Sequence, residues 1–317
     1  MKLLTTLMMA MMDKNLVKLY RELIHKYREN DFIASIDIGY RVIPGGFDKD
    51  ECCIAINLNG EDQDFVQSED RRNPRIQIRS TQVCNHISRR GVKPVRNNRT
   101  KRLKKIAPGV SIGFGDTGTL GIFCYDNLNN LRPSLLTCFH VIKSLKKGVP
   151  VVQPGIIKDG GTIQQDTIAQ YVRRDPHGDS AIARLIGRRA KTDEIFEMGF
   201  SIKSFAAAKV GDVLHKSGRT TGVTHAEVSA RSLYFRNINK RRVGIPGFKL
   251  IPTDGGPREI SMPGDSGAIW INQTTMKACG LHFGGEKPSN PNVEFALAQD
   301  ISHVLKRLNV SLTKPRR

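Results

Sequence analysis

The stretch Pro263-Gly264-Asp265-Ser266-Gly267-Ala268 sets one serine between two glycines, and an apolar run, Ala268–Ile271, follows at once. A serine that attacks a carbonyl must sit on a tight turn that exposes its Oγ, with backbone N–H groups aimed at the oxyanion that develops. Glycine on either side permits such a turn, because it accepts backbone angles that other residues avoid. The apolar run then gives a buried strand to anchor it. Taken alone, an ordinary Asp-Gly turn explains the stretch equally well.

Two segments upstream change that balance. Leu135-Leu136-Thr137-Cys138-Phe139-His140-Val141 puts a histidine at the end of an apolar strand, and Asp179-Ser180-Ala181-Ile182-Ala183-Arg184-Leu185 puts an aspartate at the start of another. A nucleophilic serine needs a base to take its proton, and the imidazole needs an acid to fix its tautomer. His140, Asp179 and Ser266 supply these groups in the order His, Asp, Ser, at separations of 39 and 87 residues, so only the fold can join them. Asp166 and Asp175 are rivals for the acid, but Asp179 alone leads directly into an apolar strand. A histidine at a strand end is more often structural than reactive, and His177, His215, His225 and His282 read as surface or supporting groups. Arg219 reads either as a loop ion pair or as a contact to an acidic substrate.

The segments TCFHV, GDSAIARL and MPGDSGAIW, with the later Gly280-Leu281-His282-Phe283-Gly284-Gly285, resemble the motifs of chymotrypsin-like (trypsin-like) serine peptidases. Pro108–Gly113, Gly118–Gly121 and Lys216–Gly222 further resemble a bacterial and plant subgroup that includes the plant narrow-leaf protein. The resemblance implies two six-stranded antiparallel β-barrels with the active site in the cleft between them. It implies His140, Asp179 and Ser266 as the catalytic residues and the backbone N–H groups of Gly264 and Ser266 as the oxyanion hole. No metal or cofactor is required. Ile260, six residues before the serine, is expected at the base of the primary pocket, with Leu281, His282 and Phe283 as its other wall. An isoleucine there cannot pair with a substrate cation, so small or apolar residues are expected before the scissile bond. Many trypsin-like enzymes free a new N-terminus that pairs with the acid before the nucleophile, here Asp265, and Lys104-Lys105-Ile106 resembles such a processing point. Against it, Pro108 follows closely and the resembled subgroup functions with its leader attached, so a solvated, uncut linker is the alternative. Cys138-Phe139 stand where the family has Ala-Ala, and no cysteine follows His140 to form the disulfide found there.

From Pro108 onward short apolar runs recur between Gly, Asn, Asp and Pro, the pattern of a mainly β domain. The pattern closes in a helix with Ile301, Val304, Leu305 and Leu308 on one face and Asp300 as its cap. Residues 1–30 read as an amphipathic helix, 31–95 as a small α/β module, 96–107 as a basic linker and 108–317 as the double barrel. The helix pattern begins near residue 11; the apolar start MKLLTTLMMAMM is signal-like but lacks an A-x-A cleavage site. With that, and with six cysteines in no framework spacing, a cytoplasmic protein with reduced thiols is expected. No run is long enough for a transmembrane span.

The formal net charge of +20 is spread along the chain, which favours binding of polyanions without a designed site. No zinc-finger spacing or aromatic RNA-binding motif supports a dedicated nucleic-acid function. The expected activity is that of a serine endopeptidase on a protein or peptide substrate. The alternatives are a silent scaffold of the same fold and a basic nucleic-acid-associated protein. A homo-oligomer is compatible with the sequence and not specified by it.

Overall fold

The computed structural model describes residues 13–43, 46–60, 66–80, 98–238, 240–256, 259–285 and 294–314. Helix α1 (Lys14–Tyr27) starts at Asp13, whose carboxylate accepts from the Asn15 amide. Its Leu16, Leu23 and Tyr27 pack on Ile36, Ile54 and Ile56 of the hairpin β1 (Ile33–Ile43) and β2 (Gly46–Leu58). A short parallel strand, β3 (Ile76–Ser80), completes this sheet beside β2. Helix and strands therefore share one core. Alternation along β1 predicts a half-buried strand, yet Ser35 and Asp37 on the polar face are buried too. Asn57 satisfies both, donating to Ser35 Oγ at 2.9 Å and to Asp37 at 2.8 Å.

The first barrel comprises β4 (Ser111–Gly113), β5 (Thr117–Thr119), β6 (Ile122–Asp126), β7 (Arg132–Thr137), β8 (Pro150–Val152), β9 (Thr167–Arg174) and β10 (Ala181–Leu185). Antiparallel pairing runs β6-β7-β10-β9-β8-β4-β5. Strand β5 continues through Leu120 and Gly121 into β6, so the two are one bent strand and the sheet closes as six strands. The second barrel comprises β11 (Val213–Gly218), β12 (Gly222–Ile238), β13 (Arg241–Pro252), β14 (Ile269–Asn272), β15 (Ala278–Gly285) and β16 (Ala296–Asp300). Its ladder runs β11-β14-β15-β16-β13-β12 and returns from β12 to β11, again six strands with no free edge. The expected double barrel is thus the observed fold, and it ends in helix α2 (Ile301–Leu308).

Three features differ from the sequence reading. The strand β13 was not legible as an apolar run, because Gly244, Pro246, Gly247 and three basic residues interrupt it. Asp300 occupies the cap position of α2, but its carboxylate pairs with Arg231 and makes no capping bond. The stretch read as a solvated basic linker carries the fully buried Arg99 and Ile106.

The first module is joined to the second barrel by its sheet. Strand β1 pairs antiparallel with the outer half of β12, with Ser35 opposite Tyr234 and Gly39 opposite Ala230. Gly39 is required there: a Cβ would lie 2.1 Å from the Ser229 carbonyl oxygen. The register of β12 against β13 shifts between Val228 and Ala230, which is where β12 passes from the barrel to the module.

Candidate active site

The segment Pro263–Ala268 is a turn immediately before β14. Gly264 and Gly267 have φ of 107° and 100°, the region open to glycine. A Cβ at Gly264 would meet Thr220 Oγ1 at 2.4 Å, and one at Gly267 would meet the Thr119 carbonyl oxygen at 2.3 Å. The glycines on either side of the serine are therefore dictated by backbone angle and by space. The Gly264 and Ser266 amides donate to no group among the described residues, whereas Gly267 N donates to the His282 carbonyl at 2.9 Å.

The turn is fixed from both barrels. Thr119 N donates to the Ser266 carbonyl at 2.8 Å, and Thr119 Oγ1 donates to the Gly264 carbonyl at 2.8 Å. Thr119 Oγ1 accepts in turn from Arg219 N at 2.9 Å, and Thr220 Oγ1 donates to the Pro263 carbonyl at 2.8 Å. Asp265 is wholly buried and collects donors from Lys216–Thr221. Its Oδ1 accepts from the Thr220 and Thr221 amides at 2.8 and 3.1 Å, and its Oδ2 from Thr221 Oγ1 at 2.6 Å and Lys216 Nζ at 3.0 Å. Burial alone raises this carboxyl; Lys216 and these hydrogen bonds more than reverse that and hold it well below the usual carboxylate range.

His140 lies just past the end of β7, in the single helical turn Phe139–Ile142, and not on the strand itself. Its Nδ1 is 2.5 Å from Asp179 Oδ2, and its backbone N donates to Asp179 Oδ1 at 3.0 Å. Both carboxylate oxygens thus face one histidine, which assigns the Nδ1 proton and leaves Nε2 to accept. Burial lowers the His140 imidazole, but Asp179, with a smaller contribution from Asp116, leaves it above its ordinary value. Burial raises Asp179, and His140 reverses this, leaving the carboxyl below its ordinary value. Gln299 of the second barrel clasps the Asp179 backbone, accepting from its N and donating to its O, each at 3.2 Å.

The rival aspartates are committed elsewhere. Asp166 pairs with Arg102 at 2.7 Å and Arg189 at 3.1 Å, and Asp175 with Arg307 at 3.2 Å. Arg219 resolves as an ion pair, with Asp159. Ser266 is buried, where the turn was expected to expose its Oγ, and that Oγ has no hydrogen-bond partner among the described residues.

Ile260 packs in the second barrel's core with Phe248 and Trp270; its backbone N donates to Glu294 at 2.9 Å and its carbonyl accepts from Thr224 Oγ1 at 2.8 Å. Leu281 is likewise a core residue. His282 is fully buried, taking a long 3.4 Å hydrogen bond from Trp270 Nε1. Phe283 packs edge-on against Tyr234 with ring centroids 5.3 Å apart.

Cys138, His140 and Asp179 bring donor atoms within 4.8 Å of one another, a spacing open to a metal ion. The Cys138 thiol, however, is fully buried, is pushed well above its usual range by burial, and donates to the His282 carbonyl. It stands as a neutral thiol, a poor ligand. Thr119, Lys216 and Thr221 stood only within segments quoted for their resemblance, with no role assigned, and Gln299 was not singled out. Lys216 left a trace: it lies two residues from the inward-facing Leu214 on one strand, so its ammonium had to point inward and find a buried anion.

Two closed antiparallel barrels with this turn between them make the molecule a chymotrypsin-like double β-barrel. Solved structures similar to it are bacterial serine proteases. A Nocardiopsis protease is 20% identical, covering 66% of this chain and all of its own, with a TM-score of 0.49. A glutamic-acid-specific serine protease described as using a histidine triad in substrate binding is 19% identical over 66% of this chain and all of its own, with a TM-score of 0.48. A Cellulomonas bogoriensis chymotrypsin is 16% identical over 67% of this chain and all of its own, with a TM-score of 0.47. No family model matches the chain, and no curated protein matches it.

Proposed function

We propose that the chain is a serine endopeptidase, with Ser266 as nucleophile, His140 as general base and then acid, and Asp179 as the group that orients and stabilises the imidazolium. The observation that carries this reading is the His140–Asp179 pair, supported by a glycine-flanked Ser266 turn that both barrels hold in place. His140 takes the Ser266 proton as Oγ attacks the peptide carbonyl, and the Gly264 and Ser266 amides receive the oxyanion. The imidazolium then protonates the leaving amine, and water releases the acyl group by the same steps in reverse. A Ser266 Oγ without a partner is compatible with this, because catalytic hydrogen bonds often tighten only with substrate bound.

The subgroup likeness rests on the sequence segments quoted above. Peptide turnover by the purified chain and by Ser266→Ala tests the reading: the variant is expected to lose roughly 10⁴–10⁶ in kcat. Equal turnover by both would exclude Ser266 as nucleophile.

A further inference from the structure

At the aspartate end of the site lies a concavity of about 110 Å³, lined by Tyr234, Phe235, Arg236, Ile245, Phe283 and Asp179, among others. Ala34 and Asn59 of the N-terminal module line it as well, so it is built jointly by the module and the second barrel. Phe283 directly follows His282, whose carbonyl holds the nucleophile turn. Asp179 lines the concavity and is the partner of His140, so the space adjoins the His140 side of the candidate site.

The polar groups of its wall are engaged, with one exception. Both Asp179 oxygens face His140, and Gln299 is spent on the Asp179 backbone. The Tyr234 hydroxyl donates to the Phe248 carbonyl at 2.9 Å, and the Asn59 amide donates to the Asp31 carbonyl at 3.0 Å. Arg236 is exposed and has no hydrogen-bond or ion-pair partner among the described residues. The remaining wall is aromatic and aliphatic. A side chain that complements these surfaces has methylenes to lie against Tyr234, Ile245 and Phe283 and a carboxylate to meet Arg236.

We infer that this concavity is a substrate subsite for an acidic residue, glutamate in particular, and that the N-terminal module serves to complete it. The inference rests on the peptidase reading for its place in catalysis, but its binding chemistry is testable without turnover.

The test uses the full chain carrying Ser266→Ala and fluorescent peptides identical except for one glutamate or glutamine, walked along the positions near the scissile bond. At one position glutamate is expected to bind about fivefold more tightly than glutamine, the size of a partly exposed ion pair. Arg236→Glu should reverse the preference toward a lysine peptide, and Ala34→Trp, which fills the space, should remove the discrimination. Circular dichroism checks that each variant keeps its β fold. Absence of discrimination at every position, absence of binding by any peptide, or discrimination that survives Arg236→Glu would overturn the inference. Arg236-dependent binding combined with no cleavage by the wild-type chain would keep the acidic subsite and overturn the peptidase reading.

Discussion

The Lys216 ammonium lies 3.0 Å from the Asp265 carboxylate, and both side chains are wholly excluded from solvent. Asp265 precedes the candidate nucleophile, and its backbone shapes the turn that would receive the oxyanion. A buried carboxylate at this position needs a cation beside it. The chain supplies it from β11, the strand that leads into the turn Arg219–Thr221. Removing one partner of a buried pair typically costs about 3–5 kcal/mol, because the other charge is stranded. Lys216→Ala is therefore expected to lower the unfolding free energy by about that amount, read from urea titration, and to abolish turnover. Mass spectrometry of the active species should find the chain uncut between Arg99 and Pro108.

Activity should depend on pH through His140. Its neutral form is the base, and its pKa is raised above the ordinary value of about 6.5. The acid limb of kcat/KM should therefore have its midpoint above about pH 6.5. The same shift stabilises the fold below the unfolded value, and that contribution fades as pH rises through the folded one. Asp179→Asn should lower kcat by about 10⁴ and move the limb downward, since the carboxylate no longer favours the imidazolium. A limb that stays in place in Asp179→Asn would detach the profile from this pair.

Arg99 ties the segment before the barrels to the turn that holds Asp265. Its guanidinium is fully buried, bonds to Ser217 Oγ and the Gly109 carbonyl, pairs with Glu197 and lies 5.1 Å from the Phe196 ring centre. Arg99→Ala should cost about 1–3 kcal/mol in urea unfolding, through loss of its buried hydrogen bonds to Ser217 and Gly109. It should also lower kcat more than it raises KM, because Ser217 adjoins Lys216. An unchanged kcat with lost stability would reduce Arg99 to a structural anchor.

Gly39 tests the join between module and barrel. Gly39→Val places a side chain against the Ser229 carbonyl and should separate β1 from β12, at a cost of about 1–3 kcal/mol. Limited proteolysis should then cut between the module and residue 98 faster than in the wild type.

The parts of this architecture legible in the sequence were those that local pattern encodes. Apolar runs marked most strands, and the i, i+3, i+4 spacing of Ile301, Val304 and Leu305 marked the last helix. Gly264 and Gly267 marked the turn because positive φ leaves few other choices. What escaped depends on contacts between distant segments. Gln299 meets Asp179 across 120 residues, and Thr119 meets Gly264 across 145, and neither residue type is unusual in a strand. Ile260, expected at a pocket base from its distance to Ser266, is wholly buried with Phe248 and Trp270, packing that its local sequence does not encode. The joint between β1 and β12 was hidden for the same reason, since strand alternation carries no information about the partner strand.

The central claim is that Ser266 is an activated nucleophile beside an oxyanion hole. Labelling of the intact purified chain with a fluorophosphonate probe, followed by peptide mass mapping, tests it most directly, because phosphonylation requires both features and no knowledge of the substrate. Stoichiometric modification of Ser266 alone is expected, with the rate falling below pH 7 and abolished in His140→Ala. A folded chain that resists the probe, or that carries the label on another serine, would contradict it.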